Sequence, residues 1–198
     1  GTSMATPAVT GVCALLLQEW QTLWPELDLP RNSTLKAILT QTAVDLGPVG
    51  PDYQSGYGSV RAAEAVDLLR TRGVREESIE QSEARSFLVE IPPGTTELRA
   101  TLAWDDPPGA VNTIPQLVND LDLVAITPDG RTVHFPWTVD PAYPDQPAVR
   151  SQPDRVNNIE QVVVDQPAAG LWVIRVNGHT VPLGPQVFSL VTSPPMIG

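Results

Sequence analysis

The sequence predicts an α+β protein in which a helical segment precedes an antiparallel β-sandwich of the jelly-roll type. Over the first 75 of 198 residues, apolar side chains recur mainly with helical spacing. From Ser86 onward the period changes to two, and about eight short apolar segments alternate with turns rich in proline and glycine. A hydrophobic content of 41% allows one large or two small cores, and the change of period favours two.

The first predicted element is a helix preceded by Gly1-Thr2-Ser3-Met4-Ala5-Thr6-Pro7. The residues that follow, as far as about Trp20, are apolar almost all round, which is typical of a buried helix. Pro7 fits only near the helix start, where backbone N–H groups have no internal acceptor. Ser3 therefore falls at or just before the first turn, where its backbone N–H can face an oxyanion. Helix capping would also explain a serine at this position.

Two further helices are predicted before residue 75. Asn32-Ser33-Thr34 supply caps for a helix that extends to Leu46 and ends at Gly47-Pro48. The next helix covers Val60 to Leu69, after the turn Gly56-Tyr57-Gly58. A nucleotide-binding loop at this turn is disfavoured because no strand signal precedes it.

Residues 76–85 are interpreted as a linker because the surrounding segment is charged and has few large apolar side chains. The sandwich domain is predicted to cover residues 86–194. Its strand segments are expected at 87–91, 98–104, 121–123, 124–126, 132–135, 159–164, 171–176 and 186–191.

Three parts of the sequence resemble the subtilisin-like serine peptidases. The opening seven residues and the small apolar helix after them resemble the nucleophile motif of that family. The pattern from Gly56 to Ala65 is similar to the C-terminal end of the catalytic domain. Leu117–Leu123, Asp154–Glu160 and Pro185–Leu190 are similar to the β-sandwich domain that follows the catalytic domain in one branch. Residues 1–75 are therefore interpreted as the C-terminal segment of an α/β subtilisin-like domain.

The resemblance implies a serine endopeptidase that cleaves peptide or protein substrates through an acyl-enzyme on Ser3. Gly1, Thr2 and Met4 would support the motif and the oxyanion site. In this family the triad histidine and aspartate precede the serine, so we expect them in an N-terminal part of the catalytic domain that is missing here. Without a base the hydroxyl is a poor nucleophile, and we expect the chain alone to be inactive. The resemblance also implies an extracellular location.

Two other functions are weighed. The order of Ser3, acidic residues and His179 would suit an α/β-hydrolase, but Ala5 occupies a position where that motif needs glycine, and an antiparallel pattern follows. His134 and His179 are expected to be ordinary strand or turn residues of the sandwich. The non-enzymatic alternative is a β-sandwich module that stabilises or docks a secreted peptidase.

Hard oxygen donors near predicted strand ends suggest a structural calcium site at Asp106, Asp120 and Asp122. Asp120 and Asp122 lie two positions apart on a strand, so their side chains share a face and could share a cation. The alternative for each single carboxylate is a role as a loop cap or a solvated turn residue. Further donors of the same type are Asp105, Asp154, Asn158 and Glu160.

Charge and cysteine content limit the partners. The net charge is −11, and both the part up to Arg85 and the part beyond it are acidic, which argues against nucleic acid or an anionic membrane as a partner. Cys13, the single cysteine, excludes a disulfide framework and is interpreted as a core residue.

Overall fold

The computed structural model describes residues 1–112, 114 and 116–197. Three helices precede the strands: α1 (Thr2–Leu23), α2 (Asn32–Thr42) and α3 (Ala62–Arg70). The strands of the described residues are β1 (Val74–Ile79), β2 (Ala84–Ile91), β3 (Glu97–Trp104), β4 (Asp120–Ile126), β5 (Val133–His134), β6 (Ile159–Asp165), β7 (Gly170–Thr180), β8 (Gln186–Ser193) and β9 (Met196–Ile197).

The strands form two antiparallel sheets. One sheet has the order β1-β8-β3-β6, and the other has the order β5-β4-β7-β2-β9. Every ladder between neighbouring strands is antiparallel. The α+β class and the antiparallel β region that the period of two predicted are thus confirmed.

Alternate residues of the two sheets meet in the core of the sandwich. Because side chains two apart share a face, each strand contributes a row of apolar residues to this interior. The rows include Leu98, Ala100 and Leu102 of β3, Leu121, Leu123 and Ala125 of β4, and Trp172, Ile174 and Val176 of β7. All nine side chains are at most 1% exposed, so the sandwich has a complete core of its own.

The helices form a layer on the outer face of the four-stranded sheet. α2 lies against β3 and β8, and α3 contacts both α1 and α2. A second apolar cluster joins this layer to the sheet. Its buried members are Leu16, Trp20, Ala37, Ile38, Ala65, Leu68, Leu69, Ala103, Ile159 and Val191.

The segment interpreted as a linker is largely strand. β1 pairs with β8 from Val74 opposite Val191 to Ile79 opposite Gln186, and β2 begins at Ala84. β1 lies at the edge of its sheet, where charged side chains are common because one side of the strand faces solvent. The placement of the boundary between a catalytic segment and a sandwich domain stays a prediction.

α1 differs from the buried helix that its composition predicted. It begins at Thr2 and includes Pro7, and its buried residues are Leu16 and Trp20 in the second half. The first half is almost entirely exposed, with Met4 at 77%. Cys13 is half-buried, and burial raises the pKa of its thiol. None of the helices in the described part of the chain combines the length and apolarity that crossing a membrane requires.

Candidate functional site

Ser3 lies in the exposed first turn of α1. Gly1 is the N-cap, and its carbonyl accepts the backbone N–H groups of Met4 at 3.0 Å and Ala5 at 3.2 Å. The N–H groups of Thr2 and Ser3 therefore precede the first hydrogen bonds of the helix and have no acceptor inside it. The sequence argument placed Ser3 at this point, and the structure has it as the second helical residue.

The start of α1 is suited to a negative charge. No acidic side chain lies in its first turn, so the positive end of the helix dipole is not compensated there by the helix itself. Thr6 donates its hydroxyl to the Thr2 carbonyl at 2.8 Å, one turn back in the same helix. Gly1, Thr2, Ser3 and Met4 are all exposed, so an incoming group can reach the turn from solvent.

Both histidines belong to the five-stranded sheet. His134 of β5 packs against Trp172 with ring centroids 5.5 Å apart, and burial, followed by the charge of Arg150, lowers its pKa. His179 of β7 holds its Nδ1 atom 3.9 Å from Asp122 Oδ2. Ser3 is on a helix that packs outside the other sheet, and stacked sheets lie about 10 Å apart. This arrangement does not favour the α/β-hydrolase order that ends at His179.

Asp106 acts as a loop cap. Its Oδ2 atom accepts the Val118 N–H at 2.8 Å, and its Oδ1 atom accepts the Asn119 N–H at 2.7 Å. Each carboxylate oxygen therefore already has a backbone donor. This is the role that the sequence allowed as the alternative to a calcium ligand.

Asp120 and Asp122 share a face of β4, and the cation between them is Arg155. The Arg155 guanidinium donates to Asp120 Oδ2 at 3.0 Å and also to both oxygens of Asp122. Burial raises the pKa of Asp120, and the charge of Arg155 opposes that rise. In this arrangement a guanidinium takes the place in which the sequence argument expected calcium.

Three of the further oxygen donors, Asp154, Asn158 and Glu160, have hydrogen-bond partners within the chain. Asp154 accepts the backbone N–H groups of Val156 and Asn157, and Asn158 accepts Lys36 Nζ at 2.7 Å. Glu160 is fully buried and accepts the Leu123 N–H at 2.6 Å. Within the described residues, no three His, Cys, Asp or Glu side chains are grouped so that they could hold a metal ion. Calcium at Asp106, Asp120 and Asp122 stays a prediction from the sequence.

Sequence reasoning missed a polar contact surface between α2 and the four-stranded sheet. Ser33 and Thr34, which were expected to cap α2 locally, instead bond to Ser189 of β8, each at 2.8 Å. Gln41 accepts the Thr101 hydroxyl at 2.6 Å and donates to the Arg99 carbonyl at 3.0 Å. Ser33, Thr34 and Gln41 lie on the same face of α2 as the buried Ala37 and Ile38. Polar residues on an otherwise apolar helix face are the signal that could have revealed this contact surface.

Comparison with known proteins relates this geometry to a family. Residues 1–58 match the model of Peptidase_S8, the subtilase family. The serine protease/ABC transporter B family protein tagB of Dictyostelium discoideum is 25% identical over 96% of this chain. Fervidolysin of Fervidobacterium pennivorans is 40% identical over 39% of the chain, and an extracellular serine protease of Serratia marcescens is 40% identical over 34%. The chain spans 13%, 10% and 6% of the lengths of these three relatives.

A crystal structure from Sulfurospirillum deleyianum overlaps 60% of this chain and 96% of its own chain, with a TM-score of 0.30 and 7% sequence identity. A TM-score of 0.30 supports no inference about the fold or the function of this chain.

Two of these relatives, the tagB protein and the Serratia marcescens protein, are named as serine proteases. The part of this chain that is similar to the subtilase family is residues 1–58, which include Ser3.

Proposed function

We propose that this chain is part of a subtilisin-like serine endopeptidase in which Ser3 is the nucleophile. The observation that carries the proposal is the position of Ser3 in the exposed first turn of α1, inside the segment that matches the subtilase family. The substrates would be peptides or proteins, as expected for a peptidase of this family.

Ser3 would attack the peptide carbonyl and form an acyl-enzyme. Its backbone N–H, which has no acceptor within the helix, would then donate to the oxyanion of the tetrahedral intermediate. Donors of this kind typically contribute about 3–4 kcal/mol of transition-state stabilisation. Gly1 and Thr2 would support this geometry by starting the helix, and exposed Met4 would lie beside the substrate.

A histidine and an aspartate from another part of the catalytic domain would supply the base. Both histidines of this chain lie in the second sheet, one against Trp172 and one beside Asp122. On this proposal the chain alone does not hydrolyse peptides, because the Ser3 hydroxyl stays protonated at neutral pH.

The sandwich would act as a supporting module with no part in the chemistry. Its strand order, β1-β8-β3-β6 in one sheet and β5-β4-β7-β2 in the other, supports the jelly-roll assignment because consecutive strands alternate between the sheets, except for the hairpin of β4 and β5. We also propose an extracellular location, which is supported by the similarity to the extracellular serine protease of Serratia marcescens.

Substitution of Ser3 in the longer peptidase tests the assignment. Ser3→Ala should lower kcat by about 10⁴- to 10⁶-fold and abolish labelling by a fluorophosphonate, because the nucleophile is lost while the helix is kept. Thr10→Ala is the matched control, since Thr10 is an exposed hydroxyl residue of the same helix whose side chain donates to the Thr6 carbonyl at 2.9 Å. Retained turnover in Ser3→Ala would reject Ser3 as the nucleophile.

A further inference from the structure

The N-terminus of α2 receives its cap from a distant strand. Arg31 is the N-cap residue, and no side chain of the helix itself makes a capping bond there. The Arg31 backbone N–H instead donates to Glu76 Oε1 at 2.9 Å. The Thr34 hydroxyl donates to the same oxygen, and Arg31 Nε lies 3.6 Å from Glu76 Oε2. The first turn of α2 contains no acidic residue of its own, so Glu76 is the carboxylate that meets its positive end.

The strand that carries Glu76 is tied to the helix by a second pair of contacts. Glu76 of β1 lies directly opposite Ser189 of β8 in the sheet. Ser189 Oγ is 2.8 Å from both Ser33 Oγ and Thr34 Oγ1. These three hydroxyl residues are at most 1% exposed, so they are shielded from bulk water, and Ser189 links Ser33 to Thr34, which also bonds to Glu76.

The other end of α2 is held in the same way. Gln41 bonds to Thr101 and to the Arg99 carbonyl on β3, and Thr34 and Gln41 are about 10 Å apart along a helix of standard rise. Apolar packing alone would permit α2 to slide on the sheet, because dispersion and hydrophobic contacts are not directional. Hydrogen bonds at two points on the helix fix its position along the axis.

We propose that Glu76 is a positioning residue, which caps α2 from the sandwich and fixes the helical layer on the four-stranded sheet. α2 contacts α3, and α3 contacts α1, so the position of the helix that carries Ser3 depends on this layer. The inference concerns the folded chain alone and does not require the proposed peptidase activity.

Hydrogen exchange of the 198-residue chain tests the proposal. In Glu76→Ala, amides in the first turn of α2 should exchange about 2- to 30-fold faster, which is the range expected when a helix cap is removed. Strands β3, β6 and β7 should keep their protection. Glu77→Ala is the matched control, because Glu77 is the next residue of the same strand and pairs with Arg85 at 3.8 Å. A loss of protection that is uniform over the chain, or equal in the two variants, would overturn the proposal.

If Glu76→Ala fails to fold, two milder substitutions of Glu76 test the same proposal. Glu76→Gln keeps an oxygen at the same reach but loses the charge, whereas Glu76→Asp keeps the charge on a shorter side chain. Because the proposal depends on direct contact with Arg31 N–H and the Thr34 hydroxyl, Glu76→Gln should protect the first turn of α2 better than Glu76→Asp. The reverse order would show a long-range charge effect and would contradict a positioning contact.

Discussion

Gly58 shows how one residue allows two backbone segments to approach each other closely. α2 stops at Thr42, four residues before the end that the sequence predicted, and Val44 then exchanges two backbone hydrogen bonds with Ser59, at 3.0 and 2.8 Å. A Cβ atom on Gly58 would lie 2.1 Å from the Val44 carbonyl oxygen, and the φ angle of Gly58 is +106°. The close approach of these two segments therefore requires glycine.

Replacement of Gly58 by alanine should destabilise the chain by more than about 1–3 kcal/mol, because backbone strain and a clash with Val44 act together. The midpoint of urea unfolding measures the loss. Gly56→Ala is a suitable control, since Gly56 has a φ of +61° but nothing within 4 Å of an added Cβ atom. It carries the cost of the left-handed conformation without the clash. Equal destabilisation by the two substitutions would show that the contact with Val44 is unimportant.

Glu160 illustrates a chemical property that a sequence pattern does not reveal. Its position in a strand rich in valine gave no sign that its carboxyl would be fully buried. Burial raises its pKa well above the ordinary value of 4.5, the Leu123 N–H opposes that shift, and the charges of nearby aspartates add to it. Among the residues that the structure describes, its Oε1 atom has no hydrogen-bond partner, so ionisation would leave a buried and poorly compensated charge.

The raised pKa of Glu160 predicts a loss of stability as the pH increases. Below pH 4.5 the carboxyl is protonated in both the folded and unfolded states, so its contribution does not change. Above that value the unfolded chain releases the proton while the folded chain retains it. The free energy of unfolding should then fall by about 1.4 kcal/mol per pH unit until the folded pKa is reached.

Urea titrations from pH 4 to pH 8 measure that slope. Glu160→Gln, which cannot ionise, should show a smaller fall in stability over this range than the unsubstituted chain. Glu64→Gln at an exposed position of α3 serves as the control and should leave the slope unchanged. A slope that persists in Glu160→Gln would contradict the assignment of this pH dependence to Glu160.

At the level of elements, patterns of apolar residues predicted more than patterns of charge. The period of two in 98–104 and 171–176 predicted strands that the structure contains as β3 and β7. The charged segment 76–85 was interpreted as a linker, yet its first part belongs to β1. A strand at a sheet edge can carry charges because only part of it is buried, and its pairing with β8 involves residues more than a hundred positions away. The composition of one segment contains no information about the distant strand with which that segment pairs.

In the candidate site, too, local features could be predicted from the sequence and contacts between distant residues could not. The position of Ser3 in the first turn followed from Pro7 and the apolar residues after it, because these are local constraints on a helix. The shared face of Asp120 and Asp122 also followed, because it depends only on strand geometry. Arg155 comes from a loop more than thirty residues later, and its role as their cation could not be predicted from spacing.

At the level of the whole molecule, the sandwich and the helical layer differ in how completely their side chains are packed. The sandwich closes its own core, whereas the helical layer depends on the outer face of one sheet. Within that layer α2 is held by polar contacts along its length, and α1 is buried only at Leu16 and Trp20. Stability should therefore decrease from the sandwich through α2 to the first half of α1.

Limited proteolysis should follow that order. A protease of broad specificity should cut first within residues 1–11, where α1 has few tertiary contacts and a short helical stretch is marginal in water. Cleavage in the exposed segments around Leu27 and Val49 should follow, while the sandwich remains as a resistant core. Mass spectrometry of the fragments over time measures the order. Equal resistance of residues 1–75 and the sandwich would mean that the helical layer is as stable as the β core, and that the exposed half of α1 needs no further partner.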